Sequence, residues 1–548
     1  MLGELLPENN DNPETMSERG MCMLLENITL GQLLHRTAQQ YPTRPAVVYK
    51  ELELSYRQLD DLADRFALAL LRKGVRRGDY VGILCEAEPN TVIASYAIAR
   101  IGGVVVMLNT SLGHRELNIR LAKANVRFLL IGDGYKNQYY PAVCQGLVEE
   151  TPCLEAIYSI GQTPCSEFPA IEPAGRGCDL TPVRRAQELV RPGDTAYILF
   201  TSGTGSSPKA VMSSHYSRVN SGIQQAKDLG ATCQDRFCTA MPMFHCFCLS
   251  VNVFASCAVG ACLYLPESRR TDALLKAIAK DRCTILSCVP TLFRAILNRP
   301  DLDSWDLKPL RTGFIGGSAY PDALFVETER RLGMTLLSSL GQTEATAGIT
   351  TANPYDPLEV RVATVGHFME HVEGQIQDPV TKQPLPVGTP GEICVRGYVV
   401  MQGYYGQPEE TAKAIDENGW LHTGDIGFLD ADGNVHLSGR MKEIIIRGGE
   451  NISPKEIENI FFDDVHILSC RAVGVPDRHY GEEVCLCVVI NPDNPCPESY
   501  IRSMLAASLA AYKVPKYILF LDTLPTTATG KVRLQELKDI AVEKLQLC

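Results

Sequence analysis

The chain has 548 residues, more than one hydrophobic core usually serves, so two or more domains are expected. Its 45% hydrophobic and 21% charged residues exclude a collagen-like, repetitive or low-complexity architecture. A formal net charge of -12 excludes a broad nucleic-acid surface, which needs an excess of Lys and Arg, and leaves any polyanion to a pocket lined by local groups.

Residues 1–19 are acidic and polar, without the basic start and apolar core of a secretory signal, so export is not expected. Ser55 and Gln58 form a capping box ahead of Leu59, Leu62, Ala63, Phe66, Ala67 and Leu70, a helical stripe that stops at Gly74. The spacing then predicts a strand over 80–85, a helix over 91–101 ended by Gly102 and Gly103, and a strand over 104–108. That alternation implies a parallel sheet covered by helices. Residues 151–192, with Pro, Gly, Cys and charge but no clean period, read as a loop-rich connection and a candidate domain boundary before a strand over 197–200. Residues 244–265 have about the length that crosses a bilayer, yet contain His245, Ser250, Asn252, Ser256 and Gly260. A buried helix running into a buried strand fits them better than an integral membrane span.

From Gly391 onward, short strands at 392–396 and 432–437 with turn signals predict a small, mostly β subdomain. After Arg440 come a strand over 444–446, a Gly448 and Gly449 turn, and a helix from Pro454. Strands near 472–475 and 484–490 and a helix near 499–511 complete a compact α+β domain. The 20 cysteines include no Cys-x-x-Cys pair, and Cys485 and Cys487 fall on one side of a strand as small hydrophobes. Neither zinc nor a disulfide framework is expected, and a reducing cytoplasm fits best.

The strand over 197–200 empties into Thr201 to Lys209, a loop dense in Gly, Ser and Thr and closed by a lysine. Such a loop lets backbone N–H groups converge on phosphate while the lysine offsets charge, although the Walker A order is absent. Taken alone it reads equally as a phosphate cradle or a flexible turn. Thr343 and Glu344 follow a strand over 334–340 and project from its end, where parallel sheets present ligand-binding groups. In isolation His245 reads as a core residue, Glu344 as a solvated carboxylate, Asp425 as a residue of a His-Thr-Gly-Asp turn, and Lys531 as a surface cation.

Thr201 to Lys209 closely resembles the ATP-phosphate signature of the adenylate-forming superfamily, which includes acyl-CoA synthetases, luciferases and peptide-synthetase adenylation domains. The resemblance continues, in family order, through 241–245, 316–321, 341–344, 391–404, 421–425, 439–440 and 530–531. It implies an α/β fold: a large N-terminal domain of layered α/β sheets with a β subdomain, residues 1–440, and a small mobile α+β C-terminal lid, residues 441–548. It also implies an AMP-forming acyl-CoA synthetase that turns a carboxylic acid, ATP and Mg2+ into an acyl-adenylate and then a CoA thioester. A ligase that loads a carrier protein, or a nucleotide- or acyl-binding protein with weakened catalysis, is the alternative.

By that resemblance Thr201, Ser202, Gly203, Thr204, Gly205, Ser206 and Lys209 hold the ATP phosphates, and Gly317, Ser318, Ala319, Gly341 and Gln342 complete the nucleotide site. His245 borders the acid channel, Thr343 contacts the α-phosphate and Glu344 holds magnesium. Asp425 accepts from the ribose hydroxyls, with Arg440 as a cationic fork beside it. Lys442 is the hinge, the Gly448, Gly449 and Glu450 turn meets the CoA pantetheine, and Lys531 stabilises the charge of the first step. The chain departs from the family at Gly205 and Ser206, where Thr-Gly is commonest, and at Ala210, a glycine elsewhere, so ATP binding of altered strength is expected. Leu340 stands where an aromatic usually precedes Gly341, and Ile446 where some relatives have a lysine. No Phe-Asp pair follows Met243 to hold a substrate amine, which favours an acid without an α-amino group. The apolar run from Cys246 to Phe254 suggests a hydrophobic acyl chain.

Overall fold

The computed structural model describes residues 24–201, 208–318, 320–441, 443–448, 450–462, 464–526 and 532–547. Helices Leu30–Gln40 and Tyr56–Arg72 both begin with a complete capping box, Thr29 with Gln32 and Ser55 with Gln58. Helix Pro89–Arg100 is buried along its length, and its last residue, Arg100, reaches Asp60 at 2.5 Å and Asp64 at 2.6 Å. That paired cation ties it to Tyr56–Arg72, where removal of one partner alone would strand a buried charge.

One seven-stranded sheet runs Ala156–Ser159, Val126–Ile131, Tyr80–Leu84, Val104–Met107, Thr195–Thr201, Lys209–Ser214, Gly403–Tyr404. Its first five strands are mutually parallel, with Tyr80 opposite Val104 and Val105 opposite Tyr197, and its last two are antiparallel. The second runs Thr335–Ser338, Thr312–Ile315, Ile285–Leu286, Arg236–Cys238, Cys262–Tyr264, Pro45–Tyr49, Leu52–Ser55, parallel except for its final hairpin. A continuous core joins both sheets to helix His215–Asp228 and to the helical run from Cys246 to Val259, which contains a π-turn at Leu249–Phe254. This run and strand Cys262–Tyr264 are the buried helix and strand expected of residues 244–265. No helix among the described residues is long and apolar enough to cross a membrane.

The expected loop and boundary at 151–192 are not what forms. Strand Ala156–Ser159 extends the first sheet, and helix Thr181–Leu189 packs on Tyr56–Arg72. A four-residue edge strand, buried at alternate positions only, is too short to show a period in a polar segment. The β subdomain also starts earlier than Gly391. Strands Val372–Gln377, Gly391–Gly397, Leu421–Leu429 and Val435–Arg440 form one antiparallel sheet, and the first of them lacks strict alternation.

The small C-terminal domain has its own sheet, Glu450–Ile452, Ile445–Arg447, Gly481–Ile490 and Ile467–Asp477, with Tyr517–Phe520 added beside Gly481–Ile490. Helix Leu534–Lys544 covers one face, where Leu537 and Ala541 pack on Cys485 and Cys487, both fully buried as apolar groups. The described cysteines are all free thiols. This domain touches the larger one where the Arg294 guanidinium lies 4.1 Å from the Phe462 ring centroid and where the Ser453 hydroxyl donates to the Ser438 carbonyl at 2.8 Å.

Candidate active site

Three loops leave the carboxyl ends of parallel strands in the second sheet, the place where open α/β sheets bind ligands. After Arg236–Cys238 the chain reaches His245, after Thr312–Ile315 it reaches Gly317 and Ser318, and after Thr335–Ser338 it reaches Thr343 and Glu344. Any side chain at Gly341 would collide with the Ala347 carbonyl oxygen. Only glycine lets the chain fold back so tightly that the Gln342 carbonyl accepts from both Ala345 and Ala347 at 3.1 Å. The resulting 3-10 turn, Thr343–Ala345, presents Thr343 and Glu344. Thr346 and Ala347 follow with φ of 55° and 100°, conformations costly for non-glycine residues. They are held from several sides: the Ser250 and Ser221 hydroxyls donate to the Thr346 carbonyl at 2.7 and 3.1 Å, and the Thr346 hydroxyl donates to Val399 O at 2.5 Å.

Glu344 is fixed by the first sheet. The Tyr404 hydroxyl, from edge strand Gly403–Tyr404, donates to Glu344 Oε1 at 3.0 Å, and the Met401 N–H donates to the Glu344 carbonyl at 2.8 Å. Burial and the adjacent Glu344 push the Tyr404 phenol up, so it stays a donor. Lys209, at the end of the phosphate-loop segment, sits 4.5 Å from the Tyr404 ring centroid and 2.8 Å from Glu410. Lys209 and Lys413 pull the Glu410 carboxyl down to about 2, which keeps it a charged mooring for Lys209. The Thr343 hydroxyl lies 3.6 Å from Cys246 Sγ. His245 caps the helix that starts at Cys246, its Nδ1 accepting the Phe247 N–H at 3.2 Å.

Asp425 is not in a turn. It lies within strand Leu421–Leu429, directly opposite Arg440, whose Nε donates to Asp425 Oδ1 at 2.9 Å. Gly424, at φ 71°, lies in a bulge, where pairing with Gly391–Gly397 shifts register between Glu392 and Cys394, so a turn-like residue sits within a strand that runs on from Leu421 to Leu429. The strand is further held by Glu392, whose Oε1 accepts the Gly424 N–H at 3.1 Å while Oε2 meets His422 Nδ1 at 2.9 Å and Lys382 at 3.2 Å. Cys394 Sγ lies 3.3 Å from the same histidine nitrogen, so Glu392, Cys394 and His422 gather closely enough to suit a metal. The lysine on the carboxylate gives that charge a partner already. Asp425 raises the Arg440 guanidinium above its ordinary value; burial opposes this, and Glu443 and Glu344 add to it. Arg440 therefore feels the carboxylates of both Asp425 and Glu344.

In the small domain Gly448 turns at φ 59° and donates to Tyr480 O at 2.8 Å, while the Arg447 guanidinium lies 4.0 Å from the Tyr480 ring centroid and pairs with Glu483. Glu450 stands exposed opposite Arg447 in the hairpin. Ile446 is exposed and offers no cation, as its identity requires. Leu340 packs into the core of the β subdomain. Of the expected site residues, Ser202, Gly203, Thr204, Gly205, Ser206, Ala319, Lys442, Gly449 and Lys531 lie outside the described residues. Tyr404 and Glu410 were not singled out from sequence. Tyr404 closes the 391–404 motif, which was its only signal, and nothing local marks Glu410.

Residues 34–405 match the AMP-binding enzyme family, and residues 456–531 match the AMP-binding enzyme C-terminal domain. An acyl-CoA ligase, SID4, of Ajellomyces capsulatus is 34% identical over 94% of this chain and 92% of its own. A mitochondrial medium-chain acyl-CoA ligase, ACSF2, of Rattus norvegicus is 32% identical over 95% of this chain and 89% of its own. Among solved structures, the anthranilate CoA ligase AuaEII in complex with anthranoyl-AMP superposes with a TM-score of 0.84 at 24% identity, over 96% of this chain and 99% of that one. ATP-bound MatB from Rhodopseudomonas palustris gives 0.82 at 25% identity, over 94% of this chain and 100% of that one.

Proposed function

The chain belongs to the AMP-binding enzyme family, as an acid–thiol ligase of the acyl-CoA synthetase type, and from that premise we propose how its residues divide the reaction. An acid with an apolar chain attacks the α-phosphorus of ATP through a carboxylate oxygen, and the bond to pyrophosphate breaks. The CoA thiol then takes the acyl group and AMP leaves. The observation that carries this reading is the link from Glu344, hydrogen-bonded by the Tyr404 hydroxyl, through the Tyr404 ring to the Lys209 ammonium at the end of the phosphate-loop segment.

The first step brings two anions together, so its barrier is mainly electrostatic. Lys209 and Arg440 supply fixed positive charge around the site, and Lys531 adds the ammonium that follows the charge as it develops. Thr343 offers a hydroxyl to the α-phosphate. Glu344 would hold magnesium: one carboxylate, pinned through Oε1 by Tyr404, leaves Oε2 for a hard ion that takes its other ligands from phosphate oxygens and water, and the ion would offset phosphate charge. Asp425, oriented by Arg440, accepts the ribose hydroxyls. His245, with Cys246 and Phe247, borders the acid.

For the second step, the lid formed by residues 441–548 turns about Lys442 and carries the Gly448, Gly449 and Glu450 turn to the pantetheine, a gated two-state cycle. A reducing compartment, such as the cytoplasm, suits the free thiols. The test is acid-dependent pyrophosphate release, with CoA or a phosphopantetheinylated carrier as acceptor, across aliphatic and aryl acids. Glu344→Gln is expected to lower kcat/KM for MgATP about 100-fold. Turnover with carrier and none with CoA would replace the acceptor; a fully active Glu344→Gln would remove Glu344 from the site.

A further inference from the structure

Arg218, on helix His215–Asp228, has no exposed surface. Its Nε donates to the Ser213 hydroxyl at 2.8 Å, and the guanidinium carbon lies 5.7 Å from the Tyr197 ring centroid. Nη1 and Nη2 are buried, and neither has a hydrogen-bond partner among the described residues. Other buried arginines here are treated differently: Arg100 has Asp60 and Asp64, and Arg361 has both oxygens of Glu329, at 2.5 and 2.9 Å. Among the described residues no carboxylate acts on Arg218; its electrostatic neighbours there are the Cys246 thiol and the Tyr197 phenol. Burial pulls the guanidinium down to about 10, which still leaves it cationic at neutral pH. An unpaired buried cation is among the costliest features a fold can carry, and a planar fork with two free arms matches one carboxylate.

Its location says whose carboxylate. Cys246, one of the electrostatic neighbours of Arg218, also lies 3.6 Å from the Thr343 hydroxyl and begins the apolar helical run that the proposed function sets beside the acid. That helix packs directly on the helix bearing Arg218, with Phe254 against Gly222. Cys246 thus stands beside both the Arg218 guanidinium and the Thr343 hydroxyl, and the helical run it begins is buried and largely apolar.

We propose that Arg218 anchors a second carboxylate at the far end of the acid, so that the enzyme thioesterifies one carboxyl group of a dicarboxylic acid with an apolar spacer. This rests on the synthetase reading above. One carboxyl becomes the mixed anhydride with AMP as pyrophosphate leaves, and then the thioester as AMP leaves. The other stays an ionised carboxylate on Arg218 and changes no bond. A monocarboxylic acid would leave both guanidinium arms unpaired against a methyl group, the kind of mismatch that discriminates strongly.

The test pairs straight-chain α,ω-diacids with monoacids of equal carbon number, assaying CoA-dependent pyrophosphate release and the shift in melting temperature on adding acid without ATP. Wild type is expected to favour the diacid at least about 100-fold in kcat/KM. Arg218→Met, which exchanges an unpaired charge for an apolar side chain, is expected to lose that preference, to turn monoacids over faster, and to melt no lower than wild type. A diacid of fitting length should raise the melting temperature of wild type and not of Arg218→Met. Preference of wild type for monoacids, an equal loss with both acid classes in Arg218→Met, or a variant that melts well below wild type while keeping its diacid preference would each overturn the assignment. If no acid is turned over, the synthetase reading fails, and the diacid-induced melting shift still decides the role of Arg218.

Discussion

Tyr404 is the residue on which the two sheets meet at the site. Its hydroxyl holds Glu344, and its ring lies beneath Lys209. Tyr404→Phe keeps the ring and removes the hydroxyl, so we expect Lys209 to stay in place and Glu344 to lose its orientation. The expected result is a fall of about 10-fold in kcat/KM for MgATP, with a higher magnesium requirement and an unchanged melting temperature; titrating magnesium in the pyrophosphate assay checks it. A motif singles out Glu344, Asp425 and Arg440 in the sequence, and the structure sets Asp425 opposite Arg440 and gives Glu344 the Tyr404 hydroxyl. Partners were not, because Tyr404 and Glu410 reach Glu344 and Lys209 only through tertiary folding. Arg218 carried no signal either: helix His215–Asp228 is polar in sequence yet buried on nearly every face, so hydropathy cannot show that its arginine is inside.

That helix also carries the clearest predictions at the scale of elements. A Cβ at Gly222 would stand 2.6 Å from Phe254 Cβ and 2.9 Å from its backbone carbon, so the two buried helices approach as closely as glycine allows. Gly222→Ala, which improves helix propensity, should nevertheless destabilise by about 2 kcal/mol through overpacking, seen as a lower melting temperature. At the helix end Asp228 is pushed up to about 7, chiefly by burial and further by Glu370, against hydrogen bonds from Gln224 and Thr351 and the charge of Lys227. The folded state thus keeps a proton that the unfolded chain releases near pH 4, and stability falls as pH rises from there to about 7. Asp228→Asn should gain about 3 kcal/mol more at pH 8 than at pH 5, read from urea denaturation at both values. His215 acts oppositely: burial pulls it down to about 4, with Asp194 opposing, so its contribution is lost as pH falls from about 6.5 toward 4. Elements with strong local signals were legible, among them the capping box at Ser55 and Gln58 and the parallel strands around residues 80–108. Ala156–Ser159 was not, being a short edge strand, and Asp425 was misplaced because Gly424 forms a turn-like bulge inside a strand.

At the scale of the molecule, the large domain gathers His245, Thr343, Glu344 and Lys209 at the ends of its sheets, and the proposed cycle has the small domain bring Lys531 and the Gly448 turn to them. The two meet through sparse polar and cation–π contacts at Arg294 with Phe462 and Ser453 with Ser438, which suits domains that rearrange between two steps. Arg471, in the small domain, pairs with Glu443 at 2.9 Å and Glu458 at 2.7 Å, fixing the chain just beyond position 442 to the small domain. The proposed cycle, two chemical steps with one rotating domain, makes a separable prediction, since in it Lys531 serves only the first. The most direct measurement follows the half-reactions in Lys531→Ala and wild type: acyl-AMP formed from acid and MgATP without CoA, and thioester formed from supplied acyl-AMP with CoA. The account predicts that the variant loses the first by about 100-fold or more and keeps the second within a few-fold. Equal loss of both steps, or adenylate formation unchanged by the substitution, would contradict it.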